Sequence, residues 1–168
     1  ITIAGVIFLS PLKRAEPDSR DRFSSAIWGY FEKLYSFGPR NPGSAGYREA
    51  IQLSPIYPEA HLGLGMSYEA LNQYDKAIAE YKQSLNLSPN SESALTRLGN
   101  AYLQMRHYAK ALTPLKNALF INPKNEEALD LIGTVYANLN RPKEALIPFQ
   151  KLIELRPQDI SPYFKLGK

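Results

Sequence analysis

Two histidines are the side chains in this sequence best suited to act as a general base or a metal ligand near neutral pH. His61 and His107 lie far apart in the chain and match no spacing typical of a metal site. The chain has no cysteine, which excludes thiolate metal sites, disulfides and cysteine nucleophiles. No motif pairs a nucleophile with a base, and no glycine-rich phosphate loop occurs. The sequence therefore predicts that the protein is not an enzyme and uses no metal or cofactor.

Structural roles account for the charged and titratable residues that stand out. His61 falls on the apolar face of a predicted helix, so we interpret it as a packing residue. His107 lies in a predicted turn between two helices, where solvent surrounds it. Glu126, Glu127 and Asp130 fall at the start of a predicted helix, where carboxylates interact favourably with the helix dipole.

The composition limits the class of partner. The net charge of +4 comes from 20 basic and 16 acidic residues that are spread over the whole chain, with no basic tail or stripe. Nucleic-acid binding is therefore not predicted. Hydrophobic residues make up 44% of the sequence, enough for one folded domain with a buried core.

A 34-residue repeat explains most of the sequence after residue 57. Seven positions recur at this spacing across three units, and they alternate between large apolar, small and aromatic types. Such a period is typical of stacked supersecondary units. The recurring sets are Leu64, Leu98 and Ile132; Gly65, Gly99 and Gly133; Tyr68, Tyr102 and Tyr136; Ala77, Ala111 and Ala145; Tyr81, Leu115 and Phe149; Ser84, Ala118 and Leu152; and Pro89, Pro123 and Pro157.

Each unit reads as two amphipathic helices that pack against each other. Apolar residues at helical spacing predict a first helix at about 59–71, and the break "NQY" precedes a second helix that ends before a proline. Gly65 and Ala77 are small where the two helices must approach closely. Pro114 and Pro148 fall inside second helices, where a local kink is expected. One such hairpin cannot bury its own apolar face, so the fold is predicted to be an all-α stack of several units.

This pattern resembles the tetratricopeptide repeat family. The resemblance covers residues 58–91, 92–125 and 126–159, with the start of a further unit at 160–168. It departs from the family at the tryptophan position, which His61, Leu95, Leu129 and Tyr163 occupy. The resemblance implies a right-handed superhelical solenoid of antiparallel helix pairs, with three full repeats and partial units at both ends. It also implies a concave groove that is lined by the first helix of each repeat.

The resemblance further implies an interaction scaffold that binds a protein or peptide partner, or a partner helix, in the groove. Arg97 and Asn100 are the preferred candidates, because a guanidinium and an amide give directed hydrogen bonds to a peptide backbone or carboxylate. Phe164 and Lys165 would continue the groove. The predicted groove residues are Leu62, Met66, Glu69, Thr96, Arg97, Asn100, Leu103, Gln104, Asp130, Leu131, Thr134 and Asn138.

One partner class within the family is predicted to be absent. Members that bind the C-terminal tails of heat-shock proteins clamp a carboxylate with lysine, asparagine and arginine side chains. The matching positions here are Leu62, Met66, Arg97, Glu127 and Leu131, and Glu127 would repel a carboxylate. We therefore predict no binding of heat-shock-protein tails.

The two ends of the chain are predicted to differ from the repeats. Residues 1–19 are apolar and then basic, which suggests either the end of a truncated membrane anchor or an apolar segment that lies on the domain. A truncated anchor would place the protein at a membrane, whereas an apolar segment on the domain leaves the localisation open. Residues 20–57 read as an N-terminal cap made of an aromatic helix, a loop and half a repeat. Residues 160–168 read as a repeat that stops after its first helix.

An alternative places the repeats in a larger enzyme. The stretch "FGPRNPGSAGYREA" at residues 37–50 resembles the start of membrane-anchored zinc aminopeptidases and glutaminyl cyclases. On this hypothesis the repeats would be the docking segment of a zinc peptidase or of a transferase. The metal ligands of such an enzyme would have to come from elsewhere, since this chain has only two histidines.

Overall fold

The computed structural model describes residues 44–158, which form seven α-helices and no strand. The predictions for residues 1–43 and 159–168, which include Tyr163, Phe164 and Lys165, concern parts of the chain outside the described residues. The helices are α1 Ser44–Leu53, α2 Pro58–Ala70, α3 Tyr74–Leu87, α4 Glu92–Gln104, α5 Tyr108–Ile121, α6 Glu126–Asn138 and α7 Pro142–Leu155.

The helices follow the period of the sequence. The first helices α2, α4 and α6 begin 34 residues apart, and so do the second helices α3, α5 and α7. Each first helix packs against the second helix of its own hairpin, and each second helix packs against the next first helix. Helix α1 packs against α2 as a second helix would. The predicted all-α stack of helix pairs is therefore confirmed over residues 44–158.

Side chains at the helix ends explain where these helices begin. Ser91 and Asn125 precede α4 and α6, and their side-chain oxygens accept hydrogen bonds from the backbone N–H groups of Ala94 and Ala128. Such caps satisfy donors that the first turn of a helix leaves free. Helices α5 and α7 continue through Pro114 and Pro148, and both prolines are buried.

Glycines set the distance between the two helices of each hairpin. A Cβ added at Gly99 would lie 2.5 Å from both Cγ and Cδ2 of Leu115, a side chain with no solvent exposure. Gly65 faces the ring of Tyr81 in the same way, and Gly133 faces the ring of Phe149. The large residue of the second helix thus occupies the space that a side chain on the first helix would need.

The first helices line the inner side of the stack. Helix α4 contacts both α2 and α6 directly, whereas contacts between successive second helices are sparse or absent within residues 44–158. A curved stack brings the helices on its inner side closer together. The solvent-facing sides of α2, α4 and α6 are therefore called the inner face, and those of α3, α5 and α7 are called the outer face.

The turn inside each hairpin contains one residue with a left-handed backbone. Asn72, Arg106 and Asn140 occupy equivalent positions, with φ values of 57°, 59° and 56°. Asparagine tolerates this conformation better than arginine, whose side chain offers no local hydrogen bond to compensate the steric cost. Arg106 is thus the unfavourable member of the set.

Replacing Arg106 by asparagine is expected to raise the free energy of unfolding by about 0.5–1 kcal/mol, because strain at a positive φ is relieved. Urea denaturation of the whole chain would measure the change. The reverse substitution, Asn140→Arg, provides the matched control and should lower stability by a similar amount. Equal stabilities of all three proteins would show that the turn carries no such strain.

Candidate functional site: the inner face

The inner face presents a mixed strip of apolar, amide and charged side chains. Met66 is 42% exposed, and Gln104 and Asn138 are also exposed. Eight further predicted groove residues are half-buried, which leaves part of each side chain accessible to a partner. They are Leu62, Glu69, Arg97, Asn100, Leu103, Asp130, Leu131 and Thr134.

The prediction that Thr96 is available in the groove is wrong. Thr96 is only 2% exposed. Its hydroxyl oxygen accepts a hydrogen bond of 3.2 Å from Nδ2 of Asn125, the residue that caps α6. Asn125 also donates to Glu92, which in turn accepts a hydrogen bond from Asn122. The residue that caps α6 therefore covers Thr96 and links the start of α6 to α4.

Glu69 is the centre of a hydrogen-bonded cluster that joins the first two repeats. Its carboxylate accepts hydrogen bonds from the hydroxyl of Tyr81 and, at 2.7 Å, from Nδ2 of Asn100. Nη1 of Arg97 lies 3.6 Å from the same carboxylate. Gln104 donates to Oδ1 of Asn100 at 3.2 Å. Five side chains from α2, α3 and α4 thus hold one another in place, and we call them the Glu69 cluster.

The tyrosine of this cluster stays protonated. Burial raises the pKa of Tyr81 well above its usual value, and the hydrogen bond to the Glu69 carboxylate raises it further. The negative charges of Glu69 and Glu127 also raise this pKa, whereas the positive charge of Arg97 lowers it. Tyr81 is therefore a fixed donor to Glu69, and Tyr81 itself is fully buried.

The cluster changes the role of the preferred binding pair. Arg97 and Asn100 do lie together on α4, one helical turn apart. Asn100 already uses its amide nitrogen and its oxygen within the protein, while Arg97 remains 34% exposed. Hydrogen bonds therefore hold Asn100 in one orientation, while Arg97 lies near the Glu69 carboxylate with part of its side chain open to a partner.

Two polar contacts were not predicted from the sequence. Nδ1 of His61 lies 2.8 Å from Oε2 of Glu80, so the side chain that we interpreted as packing also joins α2 to α3. Glu126 at the start of α6 pairs with Arg156, beyond the end of α7. The residues of the two pairs are 19 and 30 positions apart, and the packing of the two helices within a repeat brings them together. The residue types alone do not indicate these pairs.

Within residues 44–158, no group of three or more histidine or acidic residues is arranged to hold a metal ion. No helix in this part of the chain is long and apolar enough to cross a membrane. The membrane-anchor prediction concerns residues 1–19, which lie outside the described residues.

Matches to protein-family models identify the family of the repeated hairpins. A model described as a TPR repeat matches residues 67–105, and one described as a tetratricopeptide repeat matches residues 96–160. The chain belongs to the tetratricopeptide repeat family. No curated protein matches the sequence.

Solved tetratricopeptide repeat (TPR) proteins share this fold. MamA from Desulfovibrio magneticus RS-1 superposes with a TM-score of 0.74 at 23% identity, over 91% of this chain and 84% of that one. YrrB, described as a TPR protein with an unusual peptide-binding site, has a TM-score of 0.69 at 25% identity, over 74% of this chain and 64% of that one.

A third solved structure contains a bound peptide. The first TPR of Spaghetti (RPAP3), bound to the HSP90 peptide SRMEEVD, has a TM-score of 0.64 at 22% identity. The likeness covers 66% of this chain and 87% of that one. Together these structures confirm the predicted TPR fold class.

Proposed function

We propose that this TPR chain is a non-catalytic interaction scaffold that binds a peptide or partner helix on its inner face. The observation that carries the proposal is the 42% exposure of Met66, which lies on α2 one helical turn from Glu69, the carboxylate that binds Asn100 and lies 3.6 Å from Arg97. An accessible apolar anchor next to oriented hydrogen-bonding groups suits a protein partner. The partly exposed Leu62 and Leu131 extend this surface along α2 and α6.

Relatives with the same fold support this proposal. YrrB is described as a TPR protein with an unusual peptide-binding site, and the first TPR of RPAP3 is bound to an HSP90 peptide. Side chains on the inner face here would give a different specificity from the RPAP3 complex. Of the five positions that would clamp a heat-shock-protein tail, four hold Leu62, Met66, Leu131 and the exposed Glu127. Arg97 at the fifth lies beside Glu69. The proposed partner is therefore not such a tail.

The alternative role as a docking segment of a larger enzyme remains a hypothesis. The stretch that suggested it, residues 37–50, overlaps the described residues only at the start of α1. There Tyr47 packs against Gly63, as a second-helix residue of a repeat would. This contact favours the interpretation of residues 44–53 as half a repeat.

Selection of peptides from a random display library against the whole chain would test the proposal. Binding of the selected peptides is expected to weaken about 5–10-fold in Met66→Ala, because an apolar anchor of the interface is lost. Leu146→Ala on the outer face is the matched control, since Leu146 is also 42% exposed. Its effect should stay within about twofold.

Two results of this experiment would contradict the proposal. Peptides that lose affinity in Leu146→Ala but not in Met66→Ala would place the binding surface on the outer face. A library that yields no peptide dependent on either residue would argue against peptide binding by residues 44–158. Calorimetry with each purified variant would supply the affinities, and circular dichroism would show that both variants fold.

A further inference from the structure

Charge is segregated between the two sets of helices. The first helices α2, α4 and α6 contain six carboxylates and one guanidinium, a net charge of −5. The second helices α3, α5 and α7 contain four carboxylates and six lysines, a net charge of +2. The whole chain has a net charge of +4, so the acidic first helices do not follow from the overall composition.

Some of these carboxylates are engaged inside the protein. Glu92 accepts hydrogen bonds from Asn122 and Asn125, and Glu126 pairs with Arg156. Glu69 is held in its cluster, where Arg97 offsets part of its charge. These three carboxylates are therefore engaged by other side chains of the protein and contribute less to the recognition of a partner.

Other carboxylates are directed to solvent. Glu59 and Glu127 occupy equivalent positions in the first and third repeats, and both are exposed. Asp130, one turn further along α6, is half-buried and interacts within the protein, so it contributes less to the charge that a partner meets. Glu127 also contributes to the raised pKa of Tyr81, so its field reaches the Glu69 cluster. The inner face thus has an excess of negative charge at two repeats, and it also presents Met66, which is 42% exposed.

We propose that the inner face selects a cationic peptide segment with aliphatic side chains, whose lysine or arginine residues lie beside Glu59 and Glu127 and whose aliphatic residues contact Met66. This inference rests on the proposed function and specifies the chemistry of the partner. Charge complementarity favours a cationic partner, because the exposed carboxylates attract cations and repel acidic segments. A second copy of the chain that presents its lysine-rich outer face is the competing occupant.

Two fluorescein-labelled peptides would test the selectivity by fluorescence anisotropy. One consists of four Lys-Ser-Leu repeats, and the other has glutamate in place of each lysine. The cationic peptide is expected to bind at least about 10-fold more tightly than the acidic one at about 0.15 M salt. The difference should shrink at about 1 M salt, where the Debye length falls from about 8 Å to about 3 Å.

Charge-changing variants would locate the binding surface. Glu127→Gln should weaken binding of the cationic peptide about 3-fold, and Glu127→Lys about 10-fold, because the local potential is first reduced and then reversed. Glu154→Lys makes the same charge reversal at an exposed position of the outer helix α7, and it should change the affinity less than about twofold. Circular dichroism of each variant would verify its fold.

The possible failures can be told apart. Equal binding of both peptides, or equal weakening by Glu127→Lys and Glu154→Lys, would overturn the cationic selectivity. The inner face would still be a peptide-binding site if library-selected peptides depended on Met66. Absence of any Met66-dependent peptide would remove both proposals. Sedimentation velocity would detect self-association of the chain. If Glu127→Lys abolished this self-association and the cationic peptide did not bind, the occupant would be a second copy of the chain. That result would overturn the proposal of a cationic peptide.

Discussion

Replacement of Leu115 by alanine is expected to lower the free energy of unfolding by about 3–4 kcal/mol. Leu115 has no solvent exposure and belongs to the core cluster that joins α4, α5 and α6, together with Leu95, Ile132 and Val135. Removal of its side chain leaves a cavity that rigid helices cannot readily fill, and such cavities carry costs of this size. Urea denaturation monitored by circular dichroism would measure the loss.

Gly99→Ala is expected to be destabilising as well, by about 1–3 kcal/mol, although alanine is the better helix former. The added methyl group would lie 2.5 Å from two carbon atoms of Leu115, so the leucine must leave its place in the core. When Leu115 is already alanine, the space is open and the methyl group partly fills it. The double variant should therefore be at least about 1 kcal/mol more stable than the sum of the two single effects implies.

Leu146→Ala is the control for this cycle, because it removes the same atoms from a side chain that is 42% exposed. It should cost less than about 1 kcal/mol and should not couple to Gly99→Ala. Strict additivity of Gly99→Ala and Leu115→Ala would contradict the proposed contact between glycine and leucine. It would mean that the hairpin adjusts its helix spacing without loss of packing.

The period of the sequence was sufficient to predict the helix pairs. Gly99 and Leu115 are each one member of a set that recurs every 34 residues, and a small residue that always precedes a large one by 16 residues indicates a close helix contact. Because each repeat contacts mainly its neighbours, local patterns determine most of the fold. The structure adds how the helices begin, because Pro58 and Pro142 lie in the first turns of their helices and Ser91 and Asn125 cap α4 and α6.

The inner face was less predictable. Helical register indicated which residues belong to it, but not how far the next repeat closes over each one. Thr96 occupies the same register position as Leu62 and Asp130, yet only Thr96 is covered, since Asn125 bonds to it. The Glu69 cluster likewise depends on side-chain directions across two repeats. Hydrogen bonds between residues 12 and 31 positions apart leave no periodic signal when the other repeats have different residues there.

The Glu69 cluster gives the second large expected effect. Glu69→Ala should lower the free energy of unfolding by about 2–3 kcal/mol, because the buried hydroxyl of Tyr81 and the amide of Asn100 both lose their acceptor. Arg97 would also lose the carboxylate that lies 3.6 Å away. Glu69→Gln keeps an acceptor oxygen of the same shape and should cost clearly less. Chemical denaturation of the three proteins would give these values.

Tyr81→Phe separates the tyrosine contact from the rest of the cluster. In this background Glu69→Ala should cost at least about 1 kcal/mol less than it does in the wild type, because no buried hydroxyl is left unpaired. Equal costs in both backgrounds would show that Glu69 acts mainly through Asn100 and Arg97. A smaller loss in Glu69→Ala than in Glu69→Gln would contradict the role of the cluster in stability.

The pH dependence of stability provides an independent measurement of the same contact. Burial and the hydrogen bond to Glu69 raise the pKa of Tyr81 in the folded state, whereas an unfolded tyrosine ionises near pH 10. The folded protein therefore binds more protons than the unfolded chain above pH 10, and its stability must fall as the pH rises further.

Tyr81→Phe has no such group, so the difference in unfolding free energy between wild type and Tyr81→Phe should stay constant below pH 10. Above it, the difference should shift by up to about 1.4 kcal/mol per pH unit to the disadvantage of the wild type. A difference that does not change between pH 8 and pH 11 would mean that Tyr81 ionises as readily in the folded protein as in the unfolded chain, and that its hydroxyl is not held by Glu69.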